Sequence, residues 1–254
     1  MDNYKKHEWG GLYQKKEVKM RLNNFYYFLK GWEDNIPIYQ YMDLDYLFSL
    51  LESKQYFVNR KCHFEDKGES VLPPKSLFGL NSFGVQQNKD EITKMTQEIS
   101  EKLNRYRESS SWLTSCWTKD NTESLLMWKY YTTKIGVRIK SRIKNVIASI
   151  DTDKYTIVCG HMAYDGYTSK SYEECLFSKE PYFKDEHEVR FYFIPNNESM
   201  NSIKGENISV LPDIMIDEIT LSPYIKEIAA VKIAELLRRE YDLNVINLSK
   251  MRLK

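Results

Sequence analysis

Along the chain, apolar positions switch between a spacing of two and a spacing of three to four, and each switch marks an element. Ile38-Tyr39-Gln40-Tyr41 predicts a short strand after Pro37, and Asp43 is placed to cap a helix in which Leu44, Leu47, Phe48 and Leu51 share a face. Tyr56-Phe57-Val58-Asn59 returns as a strand. Ile92, Met95, Ile99, Leu103 and Tyr106 recur at helical spacing, with Glu and Lys on the opposite face. Trp112 to Trp117 predicts a strand, and Asn121 is placed to cap a helix through Leu126, Trp128 and Tyr131. Ile135, Val137 and Ile139 alternate with polar residues, as in a half-buried strand.

Ile143, Val146, Ile147 and Ile150 predict a short helix. Tyr155 to Cys159 and Val189 to Ile194 read as strands, with a helix near Tyr172 to Phe177 between them. Ile219-Thr220-Leu221 is a further strand. Ile225, Ile228, Ile233, Leu236 and Leu237 predict an amphipathic helix, and Val245 to Leu248 a last strand. Strands outnumber helices in the middle, and strand and helix do not alternate regularly, so the expected class is α+β.

No internal repeat and no Pro/Gly/Ser linker divides the chain. The polar, Tyr-rich residues 1–35 are expected to form an extension packed on the core, and 36–254 a single α+β domain. Turn formers, among them Pro73-Pro74, Gly79 and Gly84, mark 61–90 as a long excursion of the kind that often carries function.

Composition narrows this picture only a little. Of 254 residues, 42% are hydrophobic, enough for one core, and 19 Tyr and 11 Phe give it aromatic bulk. A formal net charge of +1 leaves no global electrostatic footprint for nucleic acid or an acidic membrane, although a local basic groove stays open. No apolar run approaches the roughly 20 residues of a membrane span. The first residues lack the pattern of a secretory signal, so a cytoplasmic location is expected. Cys62, Cys116, Cys159 and Cys175 are then expected as reduced, packed thiols.

The sequence holds no glycine-rich phosphate loop, dinucleotide fingerprint, His-Glu-x-x-His, Cys-x-x-Cys or Gly-x-Ser-x-Gly. Cys62-His63 and Cys159-Gly160-His161 lack standard zinc spacing, so no metal is assigned. Chemistry concentrates instead in Asp185-Glu186-His187-Glu188-Val189-Arg190, just before a strand. If that segment is extended, Glu186, Glu188 and Arg190 project from one face. Paired carboxylates beside an arginine suit general-base work or the stabilisation of a developing cation; the plainer reading is a solvated strand edge with ordinary ion pairs. Trp112-Leu113-Thr114-Ser115-Cys116-Trp117 with Met127-Trp128-Lys129-Tyr130-Tyr131 offers hydroxyls beside rings, suited to a stacking pocket or to core packing. Phe64-Glu65-Asp66-Lys67-Gly68-Glu69 is an acidic turn.

In this order the segments resemble a bacterial family of uncharacterised domains often found near phage-defence genes. The resemblance rests on Tyr39-Gln40-Tyr41, the Phe64 to Glu69 turn, Thr114-Ser115-Cys116, Met127 to Tyr131, Gly136-Val137-Arg138-Ile139 and Glu186 to Arg190, and spans about residues 36–249. Glu65, Lys67 and Gly68 depart from that family's Asn and Pro-Phe. More distantly the order is similar to ADP-ribosyltransferases. That likeness implies a split, largely antiparallel sheet with flanking helices that binds NAD in a cleft. It also implies Glu188 as the catalytic carboxylate under the ribose and Glu186 as the group that orients or deprotonates the acceptor. Tyr39 and Tyr41 would hold the cofactor in place of a first-strand arginine. Thr114, Ser115, Trp117, Tyr131 and Arg190 would complete the site.

Three functions follow as expectations. The first is an ADP-ribosyltransferase-like enzyme that uses NAD on a macromolecular acceptor (nucleic acid or protein) or on water, as a phage-defence toxin. The second is a non-catalytic sensor of a nucleotide or phage protein on the same fold. The third is a metal-dependent hydrolase or nuclease in which Asp66, Glu69, Glu186 and Glu188 would hold magnesium.

Overall fold

The computed structural model describes residues 25–28 (backbone alone), 35–60, 112–133, 135–150, 154–165, 176–195, 205–243 and 245–251. The helix expected over 92–106, the 64–69 turn, the 61–90 excursion, Cys62, His63, Cys175 and most of the N-terminal extension lie outside them.

Alternating apolar residues build ten strands among the described residues. They are β1 (Phe25–Phe28), β2 (Pro37–Asp43), β3 (Gln55–Arg60), β4 (Leu113–Thr118), β5 (Gly136–Arg142), β6 (Tyr155–His161), β7 (Glu188–Pro195), β8 (Gly205–Ser209), β9 (Glu218–Leu221) and β10 (Ile246–Leu248). The helices are α1 (Leu44–Ser53), α2 (Leu125–Tyr131), α3 (Ile143–Ser149), α4 (Pro212–Met215) and α5 (Glu227–Tyr241), and Pro181–Glu186 forms a 3-10 helix. The fold is α+β: a largely antiparallel sheet with flanking helices.

The sheet runs β1-β6-β7-β4-β2-β5-β9-β10, and it divides at β4. Near its start, β4 pairs with β3 (Asn59↔Thr114), which continues to β8; at its end it pairs with β2 (Tyr39↔Thr118). Among the described strand pairs β1–β6 and β9–β10 are parallel and the others antiparallel. This divided sheet is the expected class, and the strand predictions from Pro37 onward fall within a few residues of the observed ones.

Neighbouring residues of a strand fall on opposite faces of the sheet, because successive side chains point to opposite sides. On one face Ile38, Val58, Trp117, Ile139, Val189, Phe191 and Phe193 join the main core with helix residues Leu47, Val146, Ile147 and Leu237. On the other face the described residues form a smaller apolar group around Val158, Met162, Leu176, Phe177 and Tyr192. Cys159 is buried in the main core, and Cys116 is half-buried on the other face.

Three local expectations need correction. Ser124, rather than Asn121, caps α2: its Oγ accepts from the Met127 amide at 3.3 Å, the reach of an N-cap hydroxyl to the third helical residue. Asp43 stands at the start of α1, but its side chain accepts from Thr133 instead of the helix. In α5 the buried positions are Ala230, Ala234 and Leu237, while Ile228 is 77% exposed. Small alanines let this helix lie close against the sheet, so the larger isoleucine falls on the outer side.

Candidate functional site

The site is built by register. Tyr39 on β2 pairs with Thr118 on β4, and Thr118 pairs with Glu188 on β7, so the three share one face in a line about 10 Å long. One step along, Cys116 pairs with Arg190; on the other side, Tyr41 pairs with Arg138 of β5. All of these point away from the main core. The face is polar because its strands place Tyr, Thr, Arg and Glu at alternate positions.

Glu188 is the centre of its charge network. Its Oε1 accepts from Arg190 Nε at 2.7 Å and its Oε2 from Lys179 Nζ at 3.2 Å. The backbone on both sides is fixed: Glu188 N donates to the Tyr164 hydroxyl at 2.7 Å, and Met162 N donates to Glu188 O at 3.0 Å. All three charged groups are nearly sealed from solvent, with Glu188 4%, Lys179 6% and Arg190 1% exposed. Burial by itself would push the Glu188 carboxyl up, but Arg190 and Lys179 outweigh it, with hydrogen bonds from Arg190 and the Cys116 thiol. The net effect holds the carboxyl well below its usual range, so it is ionised at neutral pH.

Glu186 reaches the same lysine by another route. The segment is not extended there: Glu186 ends the 3-10 helix, His187 is left-handed at φ 44°, and only Glu188 begins the strand. The turn at His187 nevertheless brings both carboxylates to Lys179, with Glu186 Oε2 at 2.7 Å from Nζ. Tyr131 of α2 donates its hydroxyl to Glu186 Oε1 at 3.1 Å. The Lys179 ammonium thus lies between the two acids and bonds both; Asp66 and Glu69, the other acids of the magnesium reading, lie outside the described residues. Among the described residues no group of three or more His, Cys, Asp or Glu gathers at one point.

At the other end of the line, Arg138 lies over the Tyr39 ring, 3.8 Å from its centroid, and 5.7 Å from that of Tyr41. Its Nη2 donates to Asp120 O at 2.8 Å, while its buried Nε has no hydrogen-bond partner among the described residues. The Tyr41 hydroxyl accepts from Ser124 N at 3.1 Å, and its ring meets Trp128 edge-on at 4.8 Å. Burial raises the Tyr41 phenol, which therefore stays protonated.

Of the residues singled out in the sequence, the polar face brings together Glu188, Arg190, Tyr39, Tyr41 and Thr114, and Glu186 and Tyr131 join it from the flank. Thr114 is buried opposite Tyr192. Ser115 and Trp117 lie on the opposite face, because they alternate with Thr114, Cys116 and Thr118. There Ser115 Oγ accepts from Trp117 Nε1 at 2.8 Å and meets the Tyr56 hydroxyl at 2.5 Å, while Gln40 bonds the same tyrosine at 2.8 Å. Burial pushes that tyrosine up to about 12. Arg138 and Lys179 also stand on this face, although the sequence analysis does not propose them for the site: Arg138 lies within the Gly136 to Ile139 motif, and Lys179 sits outside any regular element.

No family model matches the chain, and no curated protein matches it. Among solved structures it is similar to Thermus sp. 2.9 DarT in complex with ADP-ribosylated ssDNA, at 10% identity and a TM-score of 0.39, over 87% of this chain and 97% of that one. Among the described residues no helix is long and apolar enough to cross a membrane.

Proposed function

We propose that the chain is an ADP-ribosyltransferase-like enzyme that cleaves NAD between nicotinamide and ribose and passes ADP-ribose to a macromolecule or to water. The observation that carries this reading is the register line from Tyr39 through Thr118 to Glu188, with Arg138 at one end and an ionised, buried carboxylate at the other. Loss of nicotinamide develops an oxocarbenium-like cation on the ribose, and a fixed carboxylate beneath it stabilises that charge. Glu188 takes this role, Tyr39 and Tyr41 hold the cofactor, and Tyr131 packs beside it. The unpartnered Nε of Arg138 suits a pyrophosphate oxygen. Glu186 orients or deprotonates the acceptor, a nucleic acid or protein. The resemblance to domains near phage-defence genes supports a role as a defence toxin acting in the cytoplasm.

The test is nicotinamide release from NAD, with cell lysate as acceptor source, by the wild type beside Glu188→Gln. Loss of one preorganised charge costs about 10²–10³ in rate. The variant also leaves two buried cations facing a neutral group, a loss of about 3–5 kcal/mol in stability. Circular dichroism at the assay temperature therefore accompanies the rates. A wild type that releases no nicotinamide, or a folded variant that matches its rate, would sink the proposal. One observation favours a second reading, a non-catalytic nucleotide sensor: both oxygens of Glu188 already have cationic partners. A melting temperature raised by NAD without turnover supports that reading.

A further inference from the structure

Lys179 is a buried cation on no regular element, yet everything around it holds it in place. Its amide donates to Ala163 O at 2.8 Å, and the Ala163 amide donates to Phe177 O at 2.6 Å, so the segment is stitched to the chain leaving β6. That stitching needs Gly160: a Cβ there would lie 2.6 Å from the Phe177 ring, and the segment could not lie flat on the polar face. Its ammonium is 4.6 Å from the centroid of the Phe183 ring. From this seat it bonds Glu186 at 2.7 Å and Glu188 at 3.2 Å. A buried ammonium is costly unless its partners are well placed, and here both partners are carboxylates, at 2.7 and 3.2 Å.

We propose that Lys179 is a positioning residue, whose ammonium ties Glu186 and Glu188 into one rigid pair and holds Glu188 in its charged, aimed state. The inference rests on the reading of Glu188 given above. Without Lys179, two carboxylates close together would repel each other and one would take up a proton. Arg190 Nε engages Oε1 of Glu188, whereas Lys179 Nζ bonds Oε2 of Glu188 and Oε2 of Glu186, whose Oε1 accepts from the uncharged Tyr131 hydroxyl. Among the described residues the Cys116 thiol and the Tyr164 hydroxyl also face Glu188, with Tyr131 behind Glu186. None of them carries a positive charge. Lys179 is therefore the one group among these that can neutralise both acids at once.

The experiment follows glutamate side-chain carboxyls by carbon NMR through the acid range in wild type, Lys179→Met and Lys179→Arg. Glu188 is assigned by its absence from Glu188→Gln. Wild-type Glu188 stays ionised where ordinary glutamates titrate. In Lys179→Met its midpoint rises by about one pH unit or more, and Lys179→Arg restores wild-type behaviour. The neutral but hydrogen-bonding Lys179→Gln gives the same discrimination where Lys179→Met does not fold. Nicotinamide release measured in parallel shows an acid limb that moves up in the methionine variant and returns in the arginine variant. Glu188 titrating alike in wild type and the neutral variants overturns the inference. A wild type that cleaves no NAD overturns the functional reading instead, and the carboxyl titration still decides the part played by Lys179.

Discussion

Strands β4 and β7 present two faces built from one backbone, and both faces are buried. On one, Trp117, Val189, Phe191 and Phe193 are at most 2% exposed among aliphatic and aromatic neighbours. On the other, Glu188 and Arg190 are sealed just as well, at 4% and 1%. The first face gains from leaving water; the second loses, and its charges are held by short ion pairs and hydrogen bonds. Burial alone therefore does not separate scaffold from site. The separation comes from what is buried. A strand enclosed on both sides is expected to be apolar throughout, and β7 breaks that rule at the two positions where the functional chemistry is proposed.

The comparison breaks most sharply at Phe191. Its ring is fully buried and stacked with that of Phe193, the centroids 6.3 Å apart at 7°. Phe191→Ala removes that packing and leaves a cavity, with an expected loss of about 3–5 kcal/mol. Denaturant unfolding measures it, and the slope of stability against pH in the acid range stays as in wild type, since no charge is touched. A loss below about 1 kcal/mol, the scale of a volume-conserving swap, would show that this face does not carry the fold.

Much of this division was legible before any coordinates. Period-two patterning marks eight of the strands, all but β1 and β8, because each of the eight has one face in the main core; Glu188 and Arg190 stand out in a charged segment just before a strand, and Tyr39 and Tyr41 through the family resemblance. What escaped was whatever depends on pairing. Ser115 and Glu188 lie on opposite faces only because Thr118, and not Trp117, stands opposite Glu188, a register that composition does not encode. Arg138 meets Tyr39 through the β2–β5 ladder, two residues distant by 99 positions in the chain. Lys179 reaches its acids through a seat made by Gly160 and Ala163, and the left-handed His187 turned an apparently extended Glu-x-Glu into a bend. The misplaced cap at Asn121 and the exposed Ile228 have a simpler cause: helix ends and phases shift by a few residues when a nearby hydroxyl or a pair of alanines fits better.

Ser115→Ala sharpens the comparison at smaller magnitude. It strips a buried acceptor from Trp117 and a partner from Tyr56, and unsatisfied donors of this kind cost about 1–3 kcal/mol. Because the residue lies on the core face, stability falls while nicotinamide release and any NAD-induced rise in melting temperature stay as in wild type. The opposite pattern, unchanged stability with lost NAD response, would mean that the two faces communicate and that alternation does not partition the molecule.

A further test separates the faces by pH. Glu188 is held below its ordinary value of 4.5, so the folded chain keeps it ionised where the unfolded chain has already bound a proton. Its contribution is complete above that ordinary value and drains away as pH falls through the depressed one. His161 ends β6 opposite Val189, so it belongs to the other face. Burial and the nearby Lys119 lower it from 6.5 to about 4, and its Nδ1 has no hydrogen-bond partner among the described residues. The folded chain therefore resists protonating it, and stability drops as pH falls between those two values. Unfolding midpoints in urea, measured from neutral pH downward, should show the two losses in succession. His161→Gln removes the upper one and leaves the lower. If instead the variant flattens the whole acid range, the lower loss does not belong to the Glu188 network, and the carboxylate is not held as its ion pairs require.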